Sequence, residues 1–314
     1  IKHPNCLAVL LTSGTPCKNG QPKNLFPLLI ATNHPLGHNK KAFDKRYCSA
    51  RATKYSKWDN SGASHLDELY KELKKSGVMI RRKLNDCVDL PEFVRVLKEV
   101  EPEREDLQEY DLKIEELKKS YRERVAQGLI SSLGEHLVFD LHLRMAGSLA
   151  KVNYVADEFV SELLEEGRQV VCLTEFRESA KKLAERIRKN ADNQVKVEVL
   201  SGEVKEAERE EMTKNRFQHG ETKVLVCVGR TGGEGINLTA GRCTILVDRP
   251  WTPGDSEQKE RRCYRIGTTD TVLSIWAQFG LMDERIDEIQ VAKSHRIDLM
   301  LEGKRSTFKG IDDI

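Results

Sequence analysis

The stretch VLVCVGRTGGEGINL, residues 224–238, decides the fold of this chain. Its first five residues are apolar and rich in valine, which predicts a short buried strand over residues 224–228. The glycines that follow, at positions 232, 233 and 235, allow positive φ angles and a close approach of the main chain to a ligand. A loop at the carboxyl end of a parallel strand is where open α/β sheets bind ligands. The stretch therefore predicts an α/β fold with a ligand site at this loop.

The segment DRPWTPGDSEQKERRCYRIG, residues 248–267, contains two arginines three residues apart. We expect this segment to be helical, and on a helix the spacing puts Arg262 and Arg265 on one face, with Gln258 one turn before Arg262. Two permanently charged, fork-shaped donors held side by side suit a polyphosphate ligand. An isolated pair of this kind is more often a solvated basic helix end. The nearby glycine-rich loop favours the phosphate interpretation here.

Together the two segments resemble motifs V and VI of superfamily-two helicase-like ATPases of the Swi/Snf type. That family shows a GGEGLN-like loop, an Asp-x-x-Trp-x-Pro stretch and an Arg-x-x-Arg-Ile-Gly sequence. Here they are GGEGIN, residues 248–253 and residues 262–267, with Thr268 where the family has Gln. Four more segments resemble family blocks in the family's order: SGTPCKNG (13–20, motif III), MIRRKLNDCVDLP (79–91), VVCLTEF (170–176, motif IV) and LSGEVKEAEREEMTKNRFQHG (200–220).

The resemblance implies an α/β fold of the P-loop NTPase class, with RecA-like lobes that each contain a parallel sheet. From about residue 148 the pattern itself alternates between strands and helices, which predicts such a sheet. We expect a C-terminal remnant of the first RecA-like lobe over residues 1–36, a helical protrusion or linker over 37–147, and a complete second (helicase C-terminal) lobe over 148–314. Predicted strands are 169–174, 195–200, 223–228, 243–248 and 271–279, and predicted helices are 149–166, 177–190, 203–219, 255–264 and 282–300.

The region before the second lobe is predicted to be helical. A charged helix is expected after Pro91, and apolar residues recur every three or four positions from Leu107 to Tyr121. This stripe favours a helical protrusion packed on a partner helix over a separate coiled coil. Residues 40–58 combine basic and aromatic side chains, which indicates either nucleic-acid contact or ordinary packing.

Composition limits the function classes. The chain has 314 residues, of which 39% are hydrophobic, enough for a sizeable core, and its net charge of +2 creates no overall field toward DNA. Nucleic-acid binding would therefore depend on local basic patches. The eight cysteines form no CxxC pair, which argues against a zinc site and a disulfide scaffold and favours a reducing, intracellular compartment. We expect no signal peptide and no membrane span.

Two motifs of a helicase-like ATPase are not found in the sequence. There is no GKT or GKS phosphate loop, and no Asp-Glu pair ends a predicted buried strand. In the family both motifs precede motif III, and Ile1 to Asn5 resembles the Ile-Lys-Asn-Pro that follows the Asp-Glu motif. We therefore expect most of the first lobe, including the magnesium ligands, to be missing from this chain. The chain alone is expected not to hydrolyse ATP.

The resemblance also implies roles for individual residues. Arg262 and Arg265 would be the catalytic arginines, acting on ATP that the first lobe holds with Mg²⁺. The nucleotide-binding residues would be Gly233, Glu234, Gly235 and Gln258. Coupling between lobes would involve Gly14, Thr15 and Pro16, and DNA contacts would come from Lys18, Asn19, Thr174, Phe176, Arg177, Thr231 and Gly232. No metal ligand is predicted in this chain.

The predicted function is the C-terminal part of an ATP-dependent translocase that moves on duplex or branched DNA, in chromatin remodelling or DNA repair. Residues 43–48, FDKRYC, resemble the annealing-helicase-like branch of the family more than nucleosome remodellers. The predicted location is the cytoplasm of a prokaryote or the nucleus of a eukaryote, and no protein partner is predicted. The alternative is a non-catalytic, degenerate nucleic-acid-binding or scaffold module. An RNA helicase is disfavoured because the GGEGIN and RIG sequences resemble the Swi/Snf type.

Overall fold

The computed structural model describes residues 8–17, 19–53, 56–82, 84–127, 133–229 and 236–304. The chain forms two compact units. The first contains Ile1–Cys87, Trp251–Asp255 and Glu288–Ile314, and the second contains Val88–Pro250 and Ser256–Asp287.

The first unit contains residues 288–302 of a long helix and several short α-helices. The short helices are α1 (Phe26–Ala31), α2 (Lys40–Tyr47), α3 (Leu66–Ser76) and α4 (Leu84–Cys87). The rings of Phe26 and Phe43 lie 5.2 Å apart in a core that also includes Leu69 and Met300. This core joins residues on both sides of the predicted boundary between 36 and 37. The assignment of residues 1–36 to a first RecA-like lobe stays a prediction.

The basic and aromatic stretch at residues 40–58 packs its aromatic rings inward. Phe43 is 2% exposed and Tyr47 is 4% exposed. Trp58 is half-buried, and its Nε1 donates a hydrogen bond to Asp44 Oδ2 over 3.0 Å. The packing alternative is therefore confirmed for these three aromatic residues. Tyr55 lies outside the described residues.

A parallel six-stranded sheet forms the centre of the second unit. The spatial order of its strands is β1-β6-β5-β2-β4-β3, and every pair is parallel. Strands β2, β4 and β5 are buried along their whole length, which explains their nearly continuous apolar sequences. The α/β prediction is confirmed. The strands are β1 (Phe93–Glu99), β2 (Val170–Thr174), β3 (Val197–Leu200), β4 (Val224–Val228), β5 (Cys243–Leu246) and β6 (Val272–Gln278).

The remaining helices lie between these strands or, in the case of the last one, follow the final strand. A π-helical turn, Val155–Val160, joins α6 to α7, and a second one, Glu211–Phe217, extends α9. Two buried apolar clusters, one containing Val170 and the other Val171, correspond to alternate residues of β2 and hence to opposite faces of the sheet. The helices are α5 (Arg104–Ala126), α6 (Leu133–Tyr154), α7 (Ser161–Glu165), α8 (Arg177–Asn190), α9 (Glu206–Glu210), α10 (Pro253–Glu260) and α11 (Gly280–Glu302).

The charged helix predicted after Pro91 is present as α5, but it begins only at Arg104, and a strand that was not predicted precedes it. Residues 93–99 form β1, which pairs in parallel with β6 and places Arg95 opposite Ser274. As an edge strand, β1 is only partly buried, so it accommodates charged residues that a central strand would exclude. The six-stranded sheet therefore includes residues that precede the predicted boundary at 148.

The long helix predicted around residues 107–121 is present as α5. It packs on α6, and the rings of Tyr121 and Phe139 lie 5.2 Å apart between the two helices. The ring of Tyr110 contacts Phe279 at the same centroid distance. These contacts confirm packing on a partner helix. None of the helices in the described ranges has the length and apolarity needed to span a membrane.

Candidate functional site

Arg262 and Arg265 lie in turns that follow α10 rather than in a helix. The helix ends at Glu260, so the prediction of a helix over residues 255–264 is wrong at its C-terminal end. The amide of Arg262 donates to Lys259 O and the amide of Cys263 donates to Glu260 O, each over 3.2 Å, so the chain leaves α10 through tight i→i+3 turns. The common helical face expected from the spacing is replaced by a compact turn.

The two guanidinium groups nevertheless converge. Arg262 Nη1 donates to the carbonyl oxygen of Ile236 over 3.1 Å, and Arg265 Nη1 donates to the same oxygen over 3.3 Å. The amide of Leu238 donates in return to Arg262 O over 2.9 Å. The turn that carries the arginines is therefore bonded to residues 236–238. That segment directly follows the glycine-rich loop.

The glycine-rich loop itself lies outside the described residues. This covers five predicted site residues: Thr231, Gly232, Gly233, Glu234 and Gly235. Their roles stay predictions.

The neighbouring arginines 261 and 262 have different surroundings. Arg261 is exposed and forms an ion pair with Glu257 one turn earlier in the chain. Arg262 is only 6% exposed and points toward Ile236. Arg262 is thus the arginine that joins Arg265 in the pair. Arg265 is half-buried and is the more accessible of the two.

Thr268 closes the turn that carries Arg265. Its hydroxyl donates to Cys263 O over 2.9 Å and accepts a hydrogen bond from the amide of Arg265 over 3.0 Å. The amide of Thr268 donates to Arg265 O over 2.9 Å. A threonine here, in place of the family's Gln, therefore has a local structural role. Gln258 is half-buried within α10, and its part in nucleotide binding stays a prediction.

Positive charge collects at the carboxyl end of β4. Burial raises the pKa of the Cys227 thiol in that strand to about 12, although the nearby charges of Lys259 and Arg262 act in the opposite direction. Lys259, which is 4% exposed, pairs with Glu175 in the loop that follows β2. These contacts bring the end of α10 to the carboxyl edge of the sheet, where α/β proteins bind ligands.

The side chain of Thr174 is not at the surface, where a side-chain contact with DNA would require it to be. Its side chain is fully buried, and its Oγ1 donates to Asp248 Oδ2 over 2.6 Å. The same carboxylate oxygen accepts hydrogen bonds from Ser148 Oγ and from the amide of Glu175. We therefore correct the predicted role of Thr174: its side chain fixes the loop after β2 instead of reaching nucleic acid.

Phe176 and Arg177 stand at the beginning of α8. Phe176 is the N-cap residue, and the guanidinium of Arg144 lies 5.8 Å from the centre of its ring. Arg177 is exposed and pairs with Glu203, which is exposed as well. A basic side chain beside the free amides of a helix N-terminus suits an anionic backbone. The geometry is compatible with the predicted DNA contact at Arg177.

The predicted coupling segment belongs to the first unit. Gly14 is exposed, with open space on the side where a Cβ would stand, and the amide of Thr15 donates to Ser13 Oγ over 3.2 Å. Pro16 and Asn19 are half-buried. Lys18 lies outside the described residues, so its role, like that of the others, stays a prediction.

Sequence reasoning missed Gln218 as a residue that shapes the site. Its Nε2 donates to Asn237 O over 3.2 Å and to Thr239 Oγ1 over 3.3 Å, while its Oε1 accepts from the amide of Ala240 over 2.8 Å. Gln218 therefore holds the segment that leaves the glycine-rich loop. The signal was present in the Arg-Phe-Gln ending of the 200–220 block, which was used only for the family resemblance.

The comparisons with known proteins agree with this architecture. Residues 150–267 match the family described as the helicase conserved C-terminal domain. "DNA annealing helicase and endonuclease ZRANB3" of Bos taurus is 28% identical over 270 residues, which cover 84% of this chain and 24% of that protein. "SWI/SNF-related matrix-associated actin-dependent regulator of chromatin subfamily A-like protein 1" of Xenopus laevis is 27% identical over 267 residues, which cover 84% of this chain and 26% of that protein.

Solved structures with the same fold come from Sulfolobus solfataricus. The SWI2/SNF2 ATPase core domain has a TM-score of 0.50 at 23% identity and covers 95% of this chain and 59% of its own. The same core in complex with dsDNA has a TM-score of 0.50 at 23% identity, and the match covers 96% of this chain and 62% of the Sulfolobus chain. Residues 150–267 are thus similar in sequence to helicase conserved C-terminal domains, and the fold is similar to that of the two Sulfolobus structures. The chain spans about a quarter of the length of the two curated relatives.

Proposed function

We propose that this Swi/Snf-type chain supplies the arginine side of a DNA-dependent ATPase site, in a motor that moves on duplex DNA. The observation that carries the proposal is the convergence of Arg262 and Arg265 on the carbonyl of Ile236, at the end of the glycine-rich loop. That convergence concentrates two permanent positive charges at the carboxyl edge of a parallel sheet. The phosphate groups of a polyphosphate match this charge and can accept paired hydrogen bonds from each guanidinium.

The chemistry follows from the arginines. A guanidinium is planar and always charged, and it can donate two parallel hydrogen bonds to phosphate oxygens. Arg265, the more accessible of the pair, would bind the terminal phosphate, and Arg262 would add positive charge beside it. Such groups accelerate phosphoryl transfer by stabilising charge on the transferring phosphate. The donors present fit the triphosphate of ATP bound with Mg²⁺, and that triphosphate supplies the bond to be broken.

The proposed DNA contacts are to the phosphate backbone. Arg177 at the start of α8 is exposed and basic, as this requires. Phe176 would orient that turn, and Lys18, Asn19, Thr231 and Gly232 complete the proposed set. Backbone contacts provide affinity without reading the base sequence, which a motor that moves along DNA requires. The curated relatives carry names of DNA and chromatin proteins. In line with these names, the proposed substrate is duplex or branched DNA, and the proposed location is the cytoplasm of a prokaryote or the nucleus of a eukaryote.

The proposal is tested by ATP hydrolysis with and without duplex DNA, measured on the full-length protein that contains this chain and on residues 1–314 alone. We expect DNA-stimulated turnover in the full-length protein and none in the 314-residue chain. ATP hydrolysis by the 314-residue chain alone would contradict the expectation that this chain has no phosphate-binding loop. If neither sample hydrolyses ATP but DNA binding is retained, the result would favour a non-catalytic DNA-binding module over a motor.

A further inference from the structure

Glu260, the last residue of α10, has a buried carboxylate that accepts four hydrogen bonds. It is 1% exposed. Its Oε1 accepts from Ser274 Oγ over 2.7 Å, from Trp276 Nε1 over 2.8 Å and from Arg95 Nε over 2.9 Å. Its Oε2 accepts from Arg95 Nη2 over 2.5 Å. A carboxylate so completely surrounded by donors has a single orientation.

Arg95 provides the opposite charge from the edge of the sheet. Its register places it beside Ser274 on β6, and alternation along that strand puts Trp276 on the same face. The guanidinium lies 4.7 Å from the centre of the Trp276 ring, so the ring supports the same group that forms the two-point ion pair. The Arg95 side chain is 30% exposed, whereas Glu260 is not accessible.

This arrangement has more to do with position than with stability. Burying a carboxylate costs free energy that its partners must offset, and well-packed apolar groups can often replace a buried ion pair without loss of stability. What apolar groups cannot reproduce is a two-point, directional attachment. The pair between Arg95 and Glu260 fixes the C-terminal end of α10 to β1 and β6 at one register.

The attached end of α10 leads directly into the arginine turn. Arg262 follows Glu260 by two residues, and the carbonyl of Glu260 accepts the amide of Cys263 within that turn. A rotation or shift at Glu260 would therefore be transmitted to Arg262 and Arg265 through a few rigid backbone bonds. The Glu260 carboxylate bonds to Arg95, Ser274 and Trp276, so its effect on the arginines is indirect.

We propose that Glu260, held by Arg95, is the positioning residue that directs Arg262 and Arg265 toward the phosphate, and that it sets the rate of hydrolysis rather than the affinity for nucleotide or DNA. This inference rests on the proposed ATPase function of the same arginines. The positioning device belongs to this lobe alone, because all four of its side chains come from the second unit.

The test uses Glu260→Gln, Arg95→Met and the double variant in the full-length protein. Glutamine keeps the shape of Glu260 but removes its charge. We expect each single variant to lower kcat for DNA-stimulated ATP hydrolysis by about 10- to 100-fold. A catalytic group that is misplaced by about 1 Å can cost about 100-fold in rate. KM for ATP and Kd for duplex DNA should stay unchanged. The double variant should be no slower than the slower single variant, because both remove one attachment.

A matched control is available on the same strand. Lys98 of β1 pairs with Glu162 over 3.1 Å, with both side chains substantially exposed. Lys98→Met removes an ion pair from β1 without touching α10, so kcat should equal that of the wild-type protein. A conservative variant, Arg95→Lys, keeps a charge at the partly exposed position but cannot form the two-point pair, and it should lower kcat less than Arg95→Met does.

The outcomes separate this inference from the function on which it rests. Full kcat in Glu260→Gln, while Arg262→Ala is inactive, would overturn the positioning role and leave the proposed function in place. Full activity in Arg262→Ala and Arg265→Ala would remove the proposed function itself. If Glu260→Gln does not fold, the Arg95→Lys variant tests the positioning role instead. A wild-type kcat in Arg95→Lys would contradict the inference. A fall in kcat with a matching loss of DNA and ATP affinity would indicate general damage to the lobe and also contradict it.

Discussion

Arg262 and Arg265 share a single hydrogen-bond acceptor, the carbonyl oxygen of Ile236, although no helix connects them. The shared acceptor lies directly after the glycine-rich loop. The two guanidiniums and residues 236–238 are therefore parts of one hydrogen-bonded unit. Each neighbouring contact can be tested separately.

The first prediction concerns Gln218, which holds the segment leaving the loop. Gln218→Ala removes the acceptor of the Ala240 amide and two bonds to residues 237 and 239. Hydrogen exchange at Ala240 should become faster, with the free energy of opening lowered by about 1 kcal/mol, the usual net value of one hydrogen bond. The exposed neighbour His219 bonds within its own helical turn, so His219→Ala is the control. Unchanged exchange in Gln218→Ala would refute the role.

A second prediction separates Thr174 from Arg177. Thr174→Val keeps the side-chain shape but removes a buried bond to the Asp248 carboxylate, so thermal unfolding should show a loss of about 1.5 to 3 kcal/mol. DNA affinity should not change.

Arg177→Ala should show the reverse. Its pair with Glu203 is exposed and contributes little to stability. Removing one phosphate contact should weaken DNA binding by the full-length protein and lower the slope of log affinity against log salt by about 1. Both variants are compared in DNA titrations at several salt concentrations. If Thr174→Val weakens DNA binding without changing stability, Thr174 does contact DNA despite its burial.

A third prediction concerns pH and the buried carboxylate of Asp44. Burial alone would raise the pKa of Asp44, but hydrogen bonds from Lys40, Trp58 and Asn60 outweigh it and the pKa lies below its ordinary value. A lowered native pKa gives stability that is present above the unfolded pKa of about 3.9 and is lost as pH falls below it. Asp44→Asn should therefore destabilise the protein at neutral pH and have a smaller effect in acid.

Denaturant titrations at neutral and acidic pH measure this difference. Asp67→Asn, at an exposed position on α3, is the matched control and should leave stability nearly unchanged at both pH values. An equal loss of stability in Asp44→Asn at both pH values would show that the charge of Asp44 is not responsible.

Much of the sheet could be predicted from local pattern. Strands β2 and β4 are continuous apolar runs because both of their faces are covered, and such runs are recognisable without any partner. The edge strand β1 is not predicted from the sequence, because its partly buried positions carry the charged residues Arg95 and Lys98. Its valines at 94 and 96 were the contrary signal. An edge position, which permits such charges, is known only once the sheet is assembled.

The site was predictable in its parts but not in its geometry. The arginine spacing predicted the two residues that converge on the Ile236 carbonyl, yet it implied a helical face where the structure has turns closed by Thr268. The bond between Arg95 and Glu260 joins residues 165 positions apart in sequence. No local pattern contains that information. Thr174 was assigned to DNA from its place at a strand end, and only the buried bond to Asp248 corrects the assignment.

The most direct test of the central claim is the rate of DNA-stimulated ATP hydrolysis by the full-length protein carrying Arg262→Ala or Arg265→Ala. Each variant should lose about 10³- to 10⁵-fold in kcat, the contribution of an arginine to comparable phosphoryl transfer, with little change in DNA affinity. Arg261→Ala removes the adjacent exposed arginine and should retain wild-type activity. Undiminished turnover in both Arg262→Ala and Arg265→Ala would contradict the account.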